Sequence, residues 1–183
     1  MLTFAVWVQD HPGVLNRVAS LFRRRAFNIE SLTVGHTEQP DVSRMTIVVD
    51  APESSRARIE ANLYKLIEVD RIESIAIGNA VYRDLALIKV AASQAARSEV
   101  MQLVHVFRAR VVDVAPESLV VEITGTEDKI DGLIDVLRPY GVIEMVRTGR
   151  VAMTRGTTSA EVTEPRGDFE STDAISADVS YSV

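Results

Sequence analysis

From Leu2 to Gln9 the chain alternates: Leu2, Phe4, Val6 and Val8 are large and apolar, with Thr3, Ala5, Trp7 and Gln9 between them. That period of two predicts a β-strand with one face turned to a core. A tight turn, Asp10-His11-Pro12-Gly13, follows at once, and Val14, Leu15, Val18, Leu21 and Phe22 then recur at helical spacing. Pro12 carries the fixed φ that suits a helix start. The chain returns as a second strand over Phe27 to Val34, and the loop His36 to Val42 leads into a third strand carrying Met45, Ile47 and Val49. Ala51-Pro52-Glu53 opens a second helix with Ile59, Leu63, Leu66 and Ile67 as its stripe, before a fourth strand from about Arg71 to Ile77. The order is βαββαβ, an α+β unit of the ferredoxin-like kind: four antiparallel strands with two helices on one face.

The second half repeats the order. Leu85 to Val90 reads as a strand, and Val100, Leu103, Val104 and Phe107 make a helical stripe. Val111 to Val114 and Leu119 to Ile123 form a predicted hairpin around Pro116; Ile130, Leu133, Ile134 and Leu137 supply the second stripe, and a last strand lies near Val142 to Val146. Two ferredoxin-like units are therefore expected, residues 1–78 and 79–153, joined near Gly78 to Tyr82. Where the first helix of the second unit begins, the chain has Ala91-Ala92-Ser93-Gln94 and no Asp-x-Pro-Gly turn, so a ligand bound by the first turn would not be bound in the same way by the second. Over residues 154–183 the pattern dissolves into Gly, Thr, Ser and acids. Glu161, Glu164, Asp168, Glu170, Asp173 and Asp178 stand against Arg155 and Arg166, so this stretch supplies most of the net charge of −6 and is expected to be a disordered tail.

The acidic balance argues against nucleic acid, whose phosphates call for a basic face. The absence of cysteine excludes disulfides and thiolate metal sites and suits a reducing cytoplasm. The first twenty residues, with Asp10 inside the apolar stretch, do not read as a signal peptide, and no apolar run approaches the ~20 residues that cross a bilayer. His11, His36 and His105 lack metal-ligand spacing, and no phosphate loop or nucleophile elbow occurs. His105 reads as a helix-surface residue. Glu122 and Glu144 read as the solvated sides of strands, and Arg23-Arg24-Arg25 as cations complementing the end of a helix. Trp7, on the strand face opposite Phe4, is either a contact with another subunit or domain or a partly covered edge residue. Catalysis has no visible constellation.

The turn at Asp10 to Gly13 allows two readings. In one it is only a tight βα connection. In the other, Gly13 leaves the first N–H groups of a helix open to an anion such as an amino-acid carboxylate, at the positive end of the helix dipole.

The run FAVWVQDHPGVLNRVASLFRRRAFNIESLTVG, followed by SRMTIVVD, resembles the small regulatory subunit family of acetohydroxyacid (acetolactate) synthase. The resemblance continues through LALIKV, FRARVVDV and TGTEDKIDGLI and covers about residues 1–155. It implies an N-terminal ACT domain for amino-acid sensing and dimerisation, and a C-terminal domain of the same fold. It further implies a non-catalytic partner of a large catalytic subunit, one that activates this subunit and confers feedback inhibition by valine in branched-chain amino acid synthesis. Thiamine diphosphate, magnesium and FAD would belong to the catalytic partner and none to this chain. By position in the family, the effector would be held between two copies by Asp10, Gly13 and Val14 of one, with Leu15 close by, and Asn28 of the other. Asp10 departs from the asparagine that some members carry; a carboxylate still accepts from a ligand ammonium but bears on which amino acid binds.

Three other readings compete. A free-standing amino-acid sensor regulating a different enzyme or a transcription factor would be supported by a helix-turn-helix segment, and none is found. An RNA-binding ferredoxin-like module would need aromatics on its central strands, which Ser43 to Asp50 lacks. A small enzyme would need the constellation that is missing.

Overall fold

Residues 1–76 and 78–156 are described by a computed structural model. The first half runs β1 (Leu2–Gln9), α1 (Val14–Arg24), β2 (Asn28–His36), β3 (Val42–Asp50), a short 3-10 turn, α2 (Arg56–Leu63) and β4 (Val69–Ser74). The strands form an antiparallel sheet in the order β2-β3-β1-β4. Phe4 and Val6 of β1 stand opposite Ile47 and Met45 of β3, and these side chains bury against Val18 and Phe22 of α1 and Ile59 and Leu63 of α2. Alternation in the strand and a helical stripe in each helix thus meet in one core.

The second half runs β5 (Ala80–Ala91), α3 (Arg97–Val106), β6 (Arg110–Val114), β7 (Ser118–Gly125), α4 (Glu127–Leu137) and β8 (Val142–Arg147). Its strand order, β6-β7-β5-β8, repeats that of the first sheet position for position. Ile88, Val121 and Ile123 pack on Val100 of α3 and Ile130 and Leu133 of α4. Two ferredoxin-like α+β units stand in sequence, as the patterning predicts.

A ninth strand, β9 (Val151–Thr154), lies outside that scheme. It pairs with the first residues of β5, Tyr82 opposite Ala152, while Asp84 to Ala91 of the same strand pair with β7. Together β9 and the start of β5 cover the helix-free face of the first sheet, where Ala5, Ile75, Ala80 and Ala152 are buried beside Trp7 and Tyr82. This is why Ala5 is buried although it lies on the face of β1 opposite Phe4; Thr3, on the same face, is buried too. Trp7 accordingly contacts the second half of the chain. Its ring lies between two guanidinium groups, Arg71 at 4.3 Å and Arg44 at 5.0 Å from the centroid. Burial lowers the Arg44 pKa, and Glu73 opposes that shift.

Several boundaries differ from the sequence expectation. β4 is Val69–Ser74, not Arg71 to Ile77, because Val69 turns in directly after the Leu66 carbonyl and Ile75 leaves the first core for the opposite face. α2 ends at Leu63, so Ile67 falls in the following turn, 83% exposed, and is not part of the stripe. β5 extends five residues upstream of Leu85, and Thr154, expected to open the tail, is the last residue of β9. Arg155 still bonds Asn79 and Ala80. The expectation for residues 157–183 lies outside the described residues. Among those described, no helix is long and apolar enough to cross a membrane, and no group of three or more His, Asp or Glu is placed to hold a metal ion. His105 is exposed, and Glu144 and Glu122 pair with Lys89 and Arg110 on the outer face of the second sheet.

Leu133 sits fully buried at the centre of the second core. Leu133→Ala is expected to lower stability by about 3 kcal/mol through lost transfer energy and a residual cavity, read as a drop in the urea midpoint with an unchanged slope.

Candidate functional site

The turn between β1 and α1 is held by the backbone: the Asp10 N–H donates to the Asp41 carbonyl at 2.7 Å, and the Arg17 N–H to Gly13 at 3.0 Å. Gly13 caps α1 with φ 95° and ψ −15°, and a Cβ built there would meet nothing within 4 Å. Glycine is required by the left-handed backbone and not by crowding, and the space above it is open. No side chain caps the helix, and its first turn contains no acid. The free N–H groups and the positive end of the helix dipole therefore face outward together. Arg17, one turn on, is neutralised by the buried carboxylate of Glu68, so the anion-attracting character of this end rests on the backbone.

Four of the five sequence-predicted site residues meet here. Val14 is buried in the first core and its N–H donates to the His11 carbonyl at 3.5 Å, while Leu15 is 46% exposed and forms an apolar wall beside the turn. The Asp10 carboxylate is 42% exposed and lies 3.1 Å from Nδ1 of His36, at the end of β2. Free N–H groups, an acid and an apolar wall are the three requirements of a zwitterionic amino acid with a short aliphatic side chain.

Asn28 is not with them. It begins β2 opposite Asp50, at the end of the sheet where β1 starts, and its side-chain amide donates to Glu30 at 2.9 Å. The length of β1, at ~3.3 Å per residue, puts on the order of 25 Å between Asn28 and Asp10 within one protomer. β2 is an edge strand of its sheet.

His36 is the group that sequence reasoning missed. It falls in the loop predicted between the second and third strands, and its nearness to Asp10 follows only from the order β2-β3-β1, which aligns the ends of β1 and β2 across β3. The corresponding position of the second unit is built differently: the Arg97 guanidinium of α3 donates to the carbonyls of Ala92 at 3.2 Å and Ala115 at 2.7 Å and fills the space beside the turn.

Residues 4–71 match the family model described as the AHAS small subunit-like ACT domain, and residues 83–156 match that of the small subunit of acetolactate synthase. The chain is 51% identical over 154 residues to the acetolactate synthase small subunit of Mycolicibacterium smegmatis, covering 84% of this chain and 91% of the relative. It is 51% identical to the probable acetolactate synthase small subunit of Archaeoglobus fulgidus, covering 84% and 96%. The crystal structure of the acetolactate synthase small subunit from Thermotoga maritima superposes with a TM-score of 0.81 at 41% identity, over 85% of this chain and 97% of that one. With half of its aligned residues shared with the first two and its fold shared with the third, this chain belongs to the family of regulatory small subunits of acetolactate synthase, built on ACT-type domains.

Proposed function

We propose that this chain activates the catalytic large subunit of acetolactate synthase and makes it sensitive to valine. Two copies pair, and each effector lies between Asp10, Gly13, Val14 and Leu15 of one protomer and Asn28 of its partner. The chain itself performs no carboligation, and thiamine diphosphate, magnesium and FAD are held by the large subunit. Valine, leucine and isoleucine synthesis is the setting that such a complex serves, in the cytoplasm.

One observation carries the effector assignment. Asp10 and Asn28 lie at opposite ends of the first sheet, and β2, whose two ends bear Asn28 and His36, is at its edge. Antiparallel pairing of β2 with a second β2 about Leu32, its midpoint, brings Asn28 of one copy opposite His36 of the other. His36 touches Asp10. The two-fold therefore joins what one protomer separates, and a self-complementary edge is the ordinary way an isologous dimer forms. The N–H groups at Gly13 and Val14 receive the carboxylate, that of Val14 in exchange for its long bond to the His11 carbonyl; Asp10 and the Asn28 carbonyl receive the ammonium, and Leu15 faces the isopropyl group. A ligand that bridges protomers favours the arrangement of the dimer that binds it better, and this differential affinity is what can alter a catalytic partner.

Reconstitution tests the first part. The purified chain, supplied with thiamine diphosphate and magnesium, is expected to turn over no pyruvate, and to raise acetolactate formation several-fold when added to its catalytic subunit. Turnover by the chain alone, or no effect on the partner, refutes the assignment.

The site is tested by two substitutions at one position. Asparagine and aspartate both tolerate the left-handed conformation of Gly13 better than other side chains do, and they are nearly the same size. Gly13→Asn and Gly13→Asp are therefore expected to lose similar amounts of stability, on the order of 1 kcal/mol. Only the second adds a negative charge where the carboxylate docks. Valine binding by calorimetry, and inhibition of the reconstituted complex, should fall at least five-fold further in Gly13→Asp than in Gly13→Asn, a difference of about 1 kcal/mol. Equal valine affinity in the two variants places the effector elsewhere.

A further inference from the structure

β2 has a second set of partners besides any copy of itself. Ser31 and Thr33 project from the helix-free face of the first sheet onto the turn that follows β8. The backbone N–H of Arg150 donates to Oγ of Ser31 at 2.9 Å, and Oγ1 of Thr33 donates to the Arg150 carbonyl at 3.3 Å. Gly149 lies directly against both hydroxyls: a Cβ there would stand 2.6 Å from Ser31 Oγ and 2.7 Å from Thr33 Oγ1, with the Leu32 backbone at 3.3 Å. Glycine at 149 is thus a matter of close approach.

The same turn is anchored to the second half of the chain by charge. Arg147 donates to one oxygen of Asp84 through Nε at 3.0 Å and Nη2 at 2.7 Å, and to Asp131 of α4 at 2.9 Å. Burial disfavours its charge, but these carboxylates outweigh the burial and its pKa is raised. Arg150 pairs with Glu127 in the first turn of α4 at 2.9 Å and lies over the Tyr82 ring. A cleft of about 420 Å³ opens beside the junction, lined by Glu30, Leu32, Asp84 and Arg147 among others, so the two halves are not packed solid at this place.

We propose that the Thr148–Arg150 turn, seated on Ser31 and Thr33, is the relay that carries the effector-bound state of β2 to the C-terminal domain and so to the catalytic subunit. It rests on the effector reading given above. A bridging ligand at the ends of β2 shifts that strand; the two hydroxyls shift with it; the turn follows because no side chain cushions Gly149. Arg147 and Arg150 then pass the displacement to Asp84 and to the start of α4. The relay residues touch no effector, so they set how strongly binding is felt and not how tightly valine is held.

The test separates binding from response in the full-length chain reconstituted with its catalytic subunit. Gly149→Ala wedges the contact open, the double variant Ser31→Ala/Thr33→Val removes both hydroxyls, and Thr33→Ser keeps both in place. The first two are expected to bind valine within two-fold of the parent by calorimetry and to activate the enzyme normally without valine. Their maximal inhibition should be at least five-fold weaker, while Thr33→Ser responds like the parent. Full inhibition in Gly149→Ala and the double variant overturns the relay, as does inhibition lost only in step with valine affinity or with basal activation. A melt by circular dichroism accompanies each variant, and a double variant that folds decides the matter if Gly149→Ala does not. An absence of valine heat in the parent chain overturns the effector reading and the relay with it; valine heat with an unaltered response overturns the relay alone.

Discussion

A single strand serves two sheets, and the rest of the architecture depends on it. Ala80 to Arg83 of β5 pair with β9 against the first sheet, while Asp84 to Ala91 run through the middle of the second. The strand is continuous across this change of partner, so one backbone takes part both in the cover of the first sheet and in the middle of the second. Hydrophobic cover follows from this: Ala80 and Tyr82 are carried over Ala5 and Trp7, and β9 completes the lid with Ala152. Small residues at 5, 80 and 152 let the layers approach closely, and the paired guanidiniums of Arg44 and Arg71 close the edge by stacking on the indole.

Most of this architecture is legible in the amino-acid sequence. Alternation at Leu2 to Val8 and the helical stripe at Val14 to Phe22 each report a side facing a core, and each has the period of the element it forms. Where structure departs from pattern, the cause is tertiary. Val151 to Thr154 is too short for periodicity to register, and it is a strand only because Ala80 to Arg83 offer it a ladder. Ile67 fits the helical spacing of Ile59 and Leu63, yet the helix has already ended and the turn delivers it to solvent. Burial of Ala5 on the supposedly open face of β1 cannot be foreseen either, since the cover comes from residues some 75 and 150 positions downstream.

The candidate site divides along the same line. The turn residues Asp10 to Leu15 are contiguous, so local chemistry sufficed to bring them together. Asn28 entered only through family resemblance, and one protomer holds it far from the turn; no spacing rule within a chain relates residues that meet through symmetry. His36 gives no sequence signal because its neighbour Asp10 is reached through the sheet order and not through the sequence. The duplicated fold sharpens the contrast, because the second unit fills the equivalent space with Arg97 where the first leaves it open.

Trp7 is the only tryptophan in the chain, and it lies at the seam where β1, β9 and the start of β5 converge. Its indole is bracketed by two cations whose positions depend on that seam: Arg44 donates to the Ala152 carbonyl at 2.6 Å, and Arg71 pairs with Glu73, which also accepts from Thr154. Tryptophan emission responds strongly to nearby charge and to water. The protein thus contains its own optical gauge of how firmly its two halves are docked, in a place that reports on the seam without any label being attached.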